Sequence, residues 1–294
     1  MNKSKTRVLV LGGTGMLGNA IFKLFLGDSS FDTYGSVRTS SNVKFCEDAK
    51  KNLVCIDNLF DDERLMSVLS SVKPNVVINC IGIVKQLKES EDPLLVIPIN
   101  SLLPHKLAKF CDLIGARLIH ISTDCVYSGN KGRYTEDDVS DAIDMYGRTK
   151  YIGEVDSLNS VTLRTSIIGH EPNSQNRSLV DWFISQKNPV SGYVNAIFSG
   201  LPCVELAMII RDFVLPSNEL HGLFHVSSEP INKFELLKLI SHVYKLGIDV
   251  YPDRSLCINR SLDSSKFSNA TGYQPKKWVD LINQMHTFQA GNVF

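Results

Sequence analysis

Apolar residues along the chain arrive in short runs, separated by stretches with helical spacing. The runs Arg7–Leu11, Thr33–Val37, Asn52–Cys55, Val76–Cys80, Leu118–Ser122 and Val161–Arg164 are mostly rich in Val, Ile and Leu. Such runs predict parallel strands covered on both faces, because a strand with one wet face alternates polar and apolar residues. Between the first two runs, Met16, Leu17, Ala20, Ile21, Leu24 and Phe25 repeat along one helix face, and Gly27 ends the pattern. Leu65–Val72 and Leu102–Ile114 behave in the same way. A repeated strand–helix order predicts an α/β fold built on a doubly wound parallel sheet.

After about residue 170 the pattern changes. Residues 172–176 read as a loop, Leu179–Gln186, Val204–Val214 and Phe234–Tyr244 as helices, and Leu223–Val226 as a short strand. These segments read as a smaller lobe packed beside the sheet. The expected domains are therefore 1–168 and 169–294, with some later segments returning to the first.

Composition narrows the function classes. Of 294 residues, 43% are hydrophobic and 21% charged, with 31 basic and 31 acidic side chains in balance. A nucleic-acid or lipid-surface binder carries an excess of positive charge, so neither partner is expected. No run approaches the roughly 20 apolar residues that span a bilayer. The apolar run Val8–Leu11 is also too short for a signal peptide core. Cys46, Cys55, Cys80, Cys111, Cys125, Cys203 and Cys257 are odd in number and contain no CxxC pair, which argues against a disulfide framework or a zinc knuckle. A cytoplasmic protein is expected.

The first chemical signal is the stretch Gly12 to Gly18, GGTGMLG, where the first strand gives way to the first helix. Glycines there allow a tight turn and let backbone N–H groups approach a pyrophosphate at the positive helix end. An acid at the end of the second strand would bind the ribose 2′-hydroxyl of NAD, whereas arginine accommodates the 2′-phosphate of NADP. The segment ends in Arg38 and carries no acid there, which favours NADPH, with NADH as the alternative. Asp32 reads as a turn residue ahead of that strand. Asp57, after the third strand, is placed to meet an adenine.

The second signal is Tyr146-Gly-Arg-Thr-Lys150. Tyr and Lys four residues apart project from one helix face, and an ammonium beside a phenol favours the phenolate. That makes the tyrosine a usable general acid. The preceding strand ends in Ser122-Thr123-Asp124, where either hydroxyl could hold a carbonyl oxygen next to the phenol. The remaining polar clusters read as ordinary structure. Asp61 to Glu63 and Glu136 to Asp138 are expected to be solvated helix starts, His120 a core or lining residue, and Trp182 and Trp278 packing residues. The alternative for the strand end at Ser122-Thr123-Asp124 is a simple turn capped by Asp124.

GGTGMLG, STDCVYSG and YGRTK in this order resemble the extended short-chain dehydrogenase/reductases. The branch most similar is that of the dTDP-4-dehydrorhamnose reductases, a likeness carried on through Leu163–Ser166, Ile258–Phe267 and Ala270–Pro275. The resemblance implies a Rossmann lobe for NAD(P)H and a smaller lobe for a nucleotide sugar. It assigns Thr123, Tyr146 and Lys150 to catalysis. It places Gly12, Thr14, Gly15, Met16 and Leu17 at the pyrophosphate, Asp57 and Asn58 at the adenine, and Cys80, Ile81 and Gly82 along the cofactor. Thr123, Asp124, Cys125, Ile167 and Arg260 would meet the substrate, Arg260 near its diphosphate.

Two positions depart from the family pattern. Cys125 stands where the reductase motif has tyrosine, and Ile167 where it has tryptophan, which opens the question of which sugar is bound. Cys125 also occupies the position at which the resembling 4,6-dehydratases carry a glutamate, so reduction fits better than elimination. The expected activity is NADPH-dependent reduction of a dTDP- or UDP-linked 4-keto-6-deoxyhexose, giving a deoxysugar donor for surface polysaccharide. A homodimer is compatible with this reading. The alternatives are a nucleotide-sugar epimerase with tightly bound NAD and a non-catalytic NADP-binding regulatory subunit.

Overall fold

The computed structural model describes residues 5–39, 47–85, 87–172 and 178–291. Cys46 and residues 173–176 of the expected loop lie outside them. Strands in chain order are β1 (Thr6–Leu11), β2 (Phe31–Val37), β3 (Leu53–Cys55), β4 (Val76–Asn79), β5 (Arg117–Thr123) and β6 (Ser160–Thr165). They continue with β7 (Ile167–Ile168), β8 (Val190–Phe198), β9 (Leu201–Pro202), β10 (Gly222–His225), β11 (Ile231–Asn232) and β12 (Val250–Asn259). The helices begin with α1 (Met16–Leu26), α2 (Glu47–Lys50), α3 (Asp62–Val72), α4 (Pro93–Val96), α5 (Leu103–Ile114) and α6 (Met145–Ile152). They end with α7 (Leu179–Ile184), α8 (Cys203–Ile209), α9 (Lys233–Val243), α10 (Ser265–Thr271) and α11 (Trp278–Gln289). Among the described residues no helix is long and apolar enough to cross a membrane.

Seven strands form one sheet in the order β10-β6-β5-β4-β1-β2-β3. The pairings of β1 with β2 and β4, of β2 with β3, and of β4 with β5 are parallel. The order reverses beside β1, which places the turn after β1 at the switch point where open α/β sheets bind ligands. β4 and β6 are buried along their whole length, as the continuous apolar runs predict for strands covered on both faces.

The chain divides into two compact units. The first is Met1–Ser122 with Asp144–Leu163 and Asn218–Leu223; the second is Thr123–Ile143 with Arg164–Ser217 and Phe224–Phe294. The first unit's core joins Leu9, Leu11 and Val77 of the sheet to Leu65, Val68 and Leu69 of α3 and Leu103, Leu107 and Cys111 of α5. The second unit has its own core, in which Val180 and Phe183 of α7, Phe198 of β8, Leu236 and Ile240 of α9, and Ile282 and Met285 of α11 meet.

Several expectations are corrected. The short strand near Leu223 is β10, an edge strand of the seven-stranded sheet and one of the later segments that return to it. The second unit carries a three-stranded sheet of order β11-β8-β12 that the apolar pattern does not announce. The expected helix Val204–Val214 is α8 followed by a wider π turn over Ile210–Val214, and a similar turn, Ile97–Leu102, leads into α5. Asp32 lies inside β2 and pairs with the Arg7 guanidinium at 2.7 Å. Asp61 does cap α3, accepting from Arg64 N, but Glu136 and Asp138 start no helix. Asp138 closes a turn on Thr135 N, and Glu136 accepts from the backbone of His225.

Leu107 is fully buried, whereas Leu158 is 83% exposed. Leu107→Ala should lower the stability read by urea unfolding by about 2–5 kcal/mol. Leu158→Ala should change it by less than about 0.5 kcal/mol. Equal effects would contradict this assignment of the core.

Candidate active site

The glycine loop is built around close backbone approaches. Gly12 has φ +83°, in the left-handed region that favours glycine, and its carbonyl accepts from Gly15 N at 2.9 Å. Gly12 N donates to Ser36 Oγ and Gly13 N to the Ser36 carbonyl, both at 3.0 Å, so β2 fixes the loop. A Cβ on Gly18 would collide with the Gly12 carbonyl oxygen, so α1 packs onto the loop only because residue 18 has none. Gly15 caps α1 and offers no side chain to its first-turn N–H groups. An uncapped, positively polarised helix end beneath a glycine turn fits the pyrophosphate of a dinucleotide.

Arg38 directly follows β2 and is exposed; Asp57 and Asn58 follow β3 and are exposed as well. Val37 pairs with Cys55 in parallel register, so these residues leave the same end of neighbouring strands, beside the glycine loop. Asn58 Oδ1 accepts from Phe60 N.

The segment Cys80–Gly82 is pinned by two buried asparagines that sequence reading missed. Asn79 Oδ1 accepts from Ile81 N at 3.1 Å, which turns its amide Nδ2 toward His120 Nδ1, also at 3.1 Å. His120 is fully buried, and burial pushes its pKa well below the usual value, helped by the positive Lys150 and by His105. It is therefore neutral, with the proton on Nε2. Asn100 accepts from Ile83 N through Oδ1 and donates to the Ile83 carbonyl through Nδ2. Nothing in the sequence distinguishes these asparagines, because an asparagine inside an apolar run carries no pattern.

Tyr146 and Lys150 both lie on α6, which Asp144 caps by accepting from Gly147 N; Lys85 holds Asp144 at 2.8 Å. Lys150 is 5% exposed, and its Nζ donates to the Ile121 carbonyl at 2.7 Å. Burial lowers its pKa to about 8, opposed chiefly by Glu154. Burial drives the Cys80 thiol up to about 12, so it stays protonated. Of the two candidate hydroxyls at the end of β5, Ser122 is engaged: its Oγ donates to Glu154 Oε1 at 2.6 Å.

Thr123 opens the second unit. Its Oγ1 accepts from Cys125 N at 3.1 Å, so Thr123, not Asp124, caps the following turn. The same hydroxyl donates to Asp124 Oδ1 at 3.3 Å. Asp124 is buried, and burial raises its pKa against the pull of Arg260 and Lys233. Arg260 is no loose surface residue. Its Nε donates to the Tyr127 carbonyl at 2.8 Å and its Nη1 lies 3.8 Å from Cys125 Sγ. Burial pushes the Cys125 thiol up to about 12, which leaves it a poor nucleophile.

Arg164 and Tyr127 tie the LRTS and STDCVY segments together. Arg164 Nη1 donates to Tyr127 OH at 2.5 Å, and Tyr127 stacks on Tyr134 with ring centroids 4.0 Å apart. Ile167 pairs with Leu201 in a two-stranded ribbon. Lys233 was also missed, because it reads as an ordinary first residue of a helix. Its Nζ sits 4.0 Å from the Phe198 ring centroid, and burial lowers its pKa to about 8 against the attraction of Asp124 and Cys125.

Known proteins resemble this chain, some of them over nearly its full length. A dTDP-4-dehydrorhamnose reductase from Aggregatibacter actinomycetemcomitans is 22% identical across 96% of this chain and 99% of its own. The mouse methionine adenosyltransferase 2 subunit beta is 30% identical over 184 residues, 61% of this chain. That match spans 52% of the mouse protein, about half the length of the relative. Among solved structures, a dTDP-4-dehydrorhamnose reductase from Bacillus anthracis in complex with NADP superposes with TM-score 0.80 at 21% identity, covering 98% of this chain and 100% of that one. WbmG of Bordetella bronchiseptica in complex with NAD and UDP gives 0.75 at 18% identity, covering 99% and 97%. Those likenesses show a common fold. The family model for the RmlD substrate binding domain matches residues 6–287, and the chain belongs to that family.

Proposed function

We propose that the protein is an NADPH-dependent reductase of a nucleotide-activated 4-keto-6-deoxyhexose, linked to dTDP or UDP, with NADH as the alternative reductant. The observation that carries this reading is Lys150, a buried ammonium fastened to the end of β5 and one turn from Tyr146 on α6. The glycine loop fits a dinucleotide pyrophosphate, and Arg38 offers a guanidinium where a 2′-phosphate would lie. Asp57, Asn58 and Cys80–Gly82 would hold the remainder. The chemistry such a cofactor supplies when bound is hydride delivery to a carbonyl carbon. The relatives named above as reductases, and the NADP in one of them, support this choice.

The protein's own groups then manage the proton. Tyr146 gives its phenolic proton to the developing alkoxide, and the Lys150 charge stabilises the phenolate left behind. Thr123 accepts from Cys125 N, which leaves its O–H able to turn from Asp124 to the carbonyl oxygen. Asp124, Cys125, Ile167 and Arg260 contact the nucleotide sugar in this reading. With cysteine and isoleucine in place of the family's two aromatics, a 2-acetamido or otherwise modified hexose is as suitable as the rhamnose precursor. The product serves as a deoxysugar donor for surface polysaccharide, in a cytoplasm where the thiols stay reduced.

A second reading has one observation in its favour, the 30% identity to a protein named as a subunit of methionine adenosyltransferase. In that case the chain binds NADP without turning it over and acts through a partner enzyme.

The experiment is NADPH consumption with the 4-keto-6-deoxy products that 4,6-dehydratases make from dTDP-glucose and from UDP-N-acetylglucosamine. Turnover with one of them is expected, and Tyr146→Phe should reduce it by about 100-fold or more. Folded protein that binds NADPH yet reduces neither sugar supports the second reading. Gly18→Ala should weaken NADPH binding, measured by fluorescence titration, by at least about tenfold, or about 1.4 kcal/mol. Unchanged affinity would contradict the role given to the loop.

A further inference from the structure

Glu154 follows Lys150 by one helical turn, just beyond the Gly153 that ends α6. No motif singles it out. Its Oε1 accepts from Ser122 Oγ at 2.6 Å, and the carbonyl that accepts from Lys150 belongs to the preceding residue, Ile121, at 2.7 Å. Ammonium and carboxylate are thus fastened to adjacent residues of β5. We propose that Glu154 is a positioning residue that acts through Lys150: held by Ser122, its carboxylate supplies the negative charge that keeps the buried ammonium at the end of β5.

The titratable groups around Lys150 come from several elements. Cys80, after β4, keeps its proton because burial pushes the thiol up to about 12. His120, on β5 itself, is held neutral by burial. His105 of α5 turns its Nε2 to the Ile152 carbonyl at 2.7 Å and acts on His120. Glu154 is the first of the groups that oppose the effect of burial on Lys150. An ammonium sealed from water loses its proton unless a negative charge or hydrogen-bond acceptors replace the solvent. The Ile121 carbonyl gives one acceptor, and Glu154 gives the charge. Ser122 matters because an untethered glutamate after a helix end would turn toward solvent.

What Lys150 does with its charge rests on the reductase reading, but the effect of Glu154 on that charge can be read without turnover. The Lys150 ¹³Cε resonance, assigned with Lys150→Arg, is followed through an alkaline titration of the free protein. A midpoint near 8 is expected for the unmodified chain. Glu154→Gln keeps the hydrogen bond from Ser122 and removes the charge, so the midpoint should fall by about one pH unit. Ser122→Ala keeps the charge and removes the tether, so it should shift the midpoint in the same direction by less. If Glu154→Gln does not fold, Ser122→Ala and Glu154→Asp carry the test. Unmoved midpoints overturn the proposal.

The sign in catalysis follows. Protonated Lys150 is the active form, so turnover falls as pH rises through its pKa, and a lowered pKa moves that fall to lower pH. The loss caused by Glu154→Gln should therefore grow with pH. A loss uniform across pH would mark a merely structural role and contradict the proposal. If the unmodified protein shows no turnover, the reductase reading fails while the titration still decides this one.

Discussion

A lysine ammonium almost wholly removed from water has to be given partners, and much of the first unit is arranged around that requirement. Lys150 is buried under α6, where its Nζ meets the Ile121 carbonyl. That bond fixes the end of β5 against the helix that carries Tyr146. The same strand presents Ser122 to Glu154, and His120 to Asn79, whose amide also holds the segment after β4. Lys150 thus joins the tyrosine helix to the strand ending in the STD motif, and His120 on that strand joins it to the segment after β4. A neutral residue at 150 would leave the Ile121 carbonyl without this charged donor.

The parts of this arrangement that sequence could reveal are those with a period or a fixed spacing. Every strand and helix of the first unit named from its apolar pattern exists, because each faces a core on one or both sides and must repeat accordingly. The glycine loop was legible because only residues without a Cβ allow α1 to approach Gly12. β8 and β12 were not legible, and the reason is physical. β12 is exposed along most of its length and contains Pro252, Asp253 and Arg254, while β8 alternates around Gly192 and Asn195. A strand stabilised by its neighbour, with little burial, writes no apolar run.

Site residues divide in the same way. Tyr146, Lys150 and Thr123 stand in motifs, whereas Asn79, Asn100, Glu154 and Lys233 act through partners far away in the chain. Ser122 and Thr123 were indistinguishable as hydroxyls until the bond from Ser122 to Glu154 separated them. Arg260 likewise read as either a surface residue or a ligand contact, and its bond to the Tyr127 carbonyl shows it held in place. In the second unit Lys233 and Arg260 add positive charge near the buried Asp124. The family resemblance speaks to the chemistry at the carbonyl more strongly than to the sugar that carries it.

The central claim is that hydride passes from a nicotinamide to a ketone carbon while Tyr146 supplies the proton. The most direct measurement uses NADPH deuterated at the transferable position of its nicotinamide, with a 4-keto-6-deoxyhexose nucleotide as acceptor and NMR of the product sugar. The account predicts one deuterium at C4 of the sugar. A product without deuterium at C4, or label that stays on the cofactor while the protein remains folded and NADPH-bound, would contradict it.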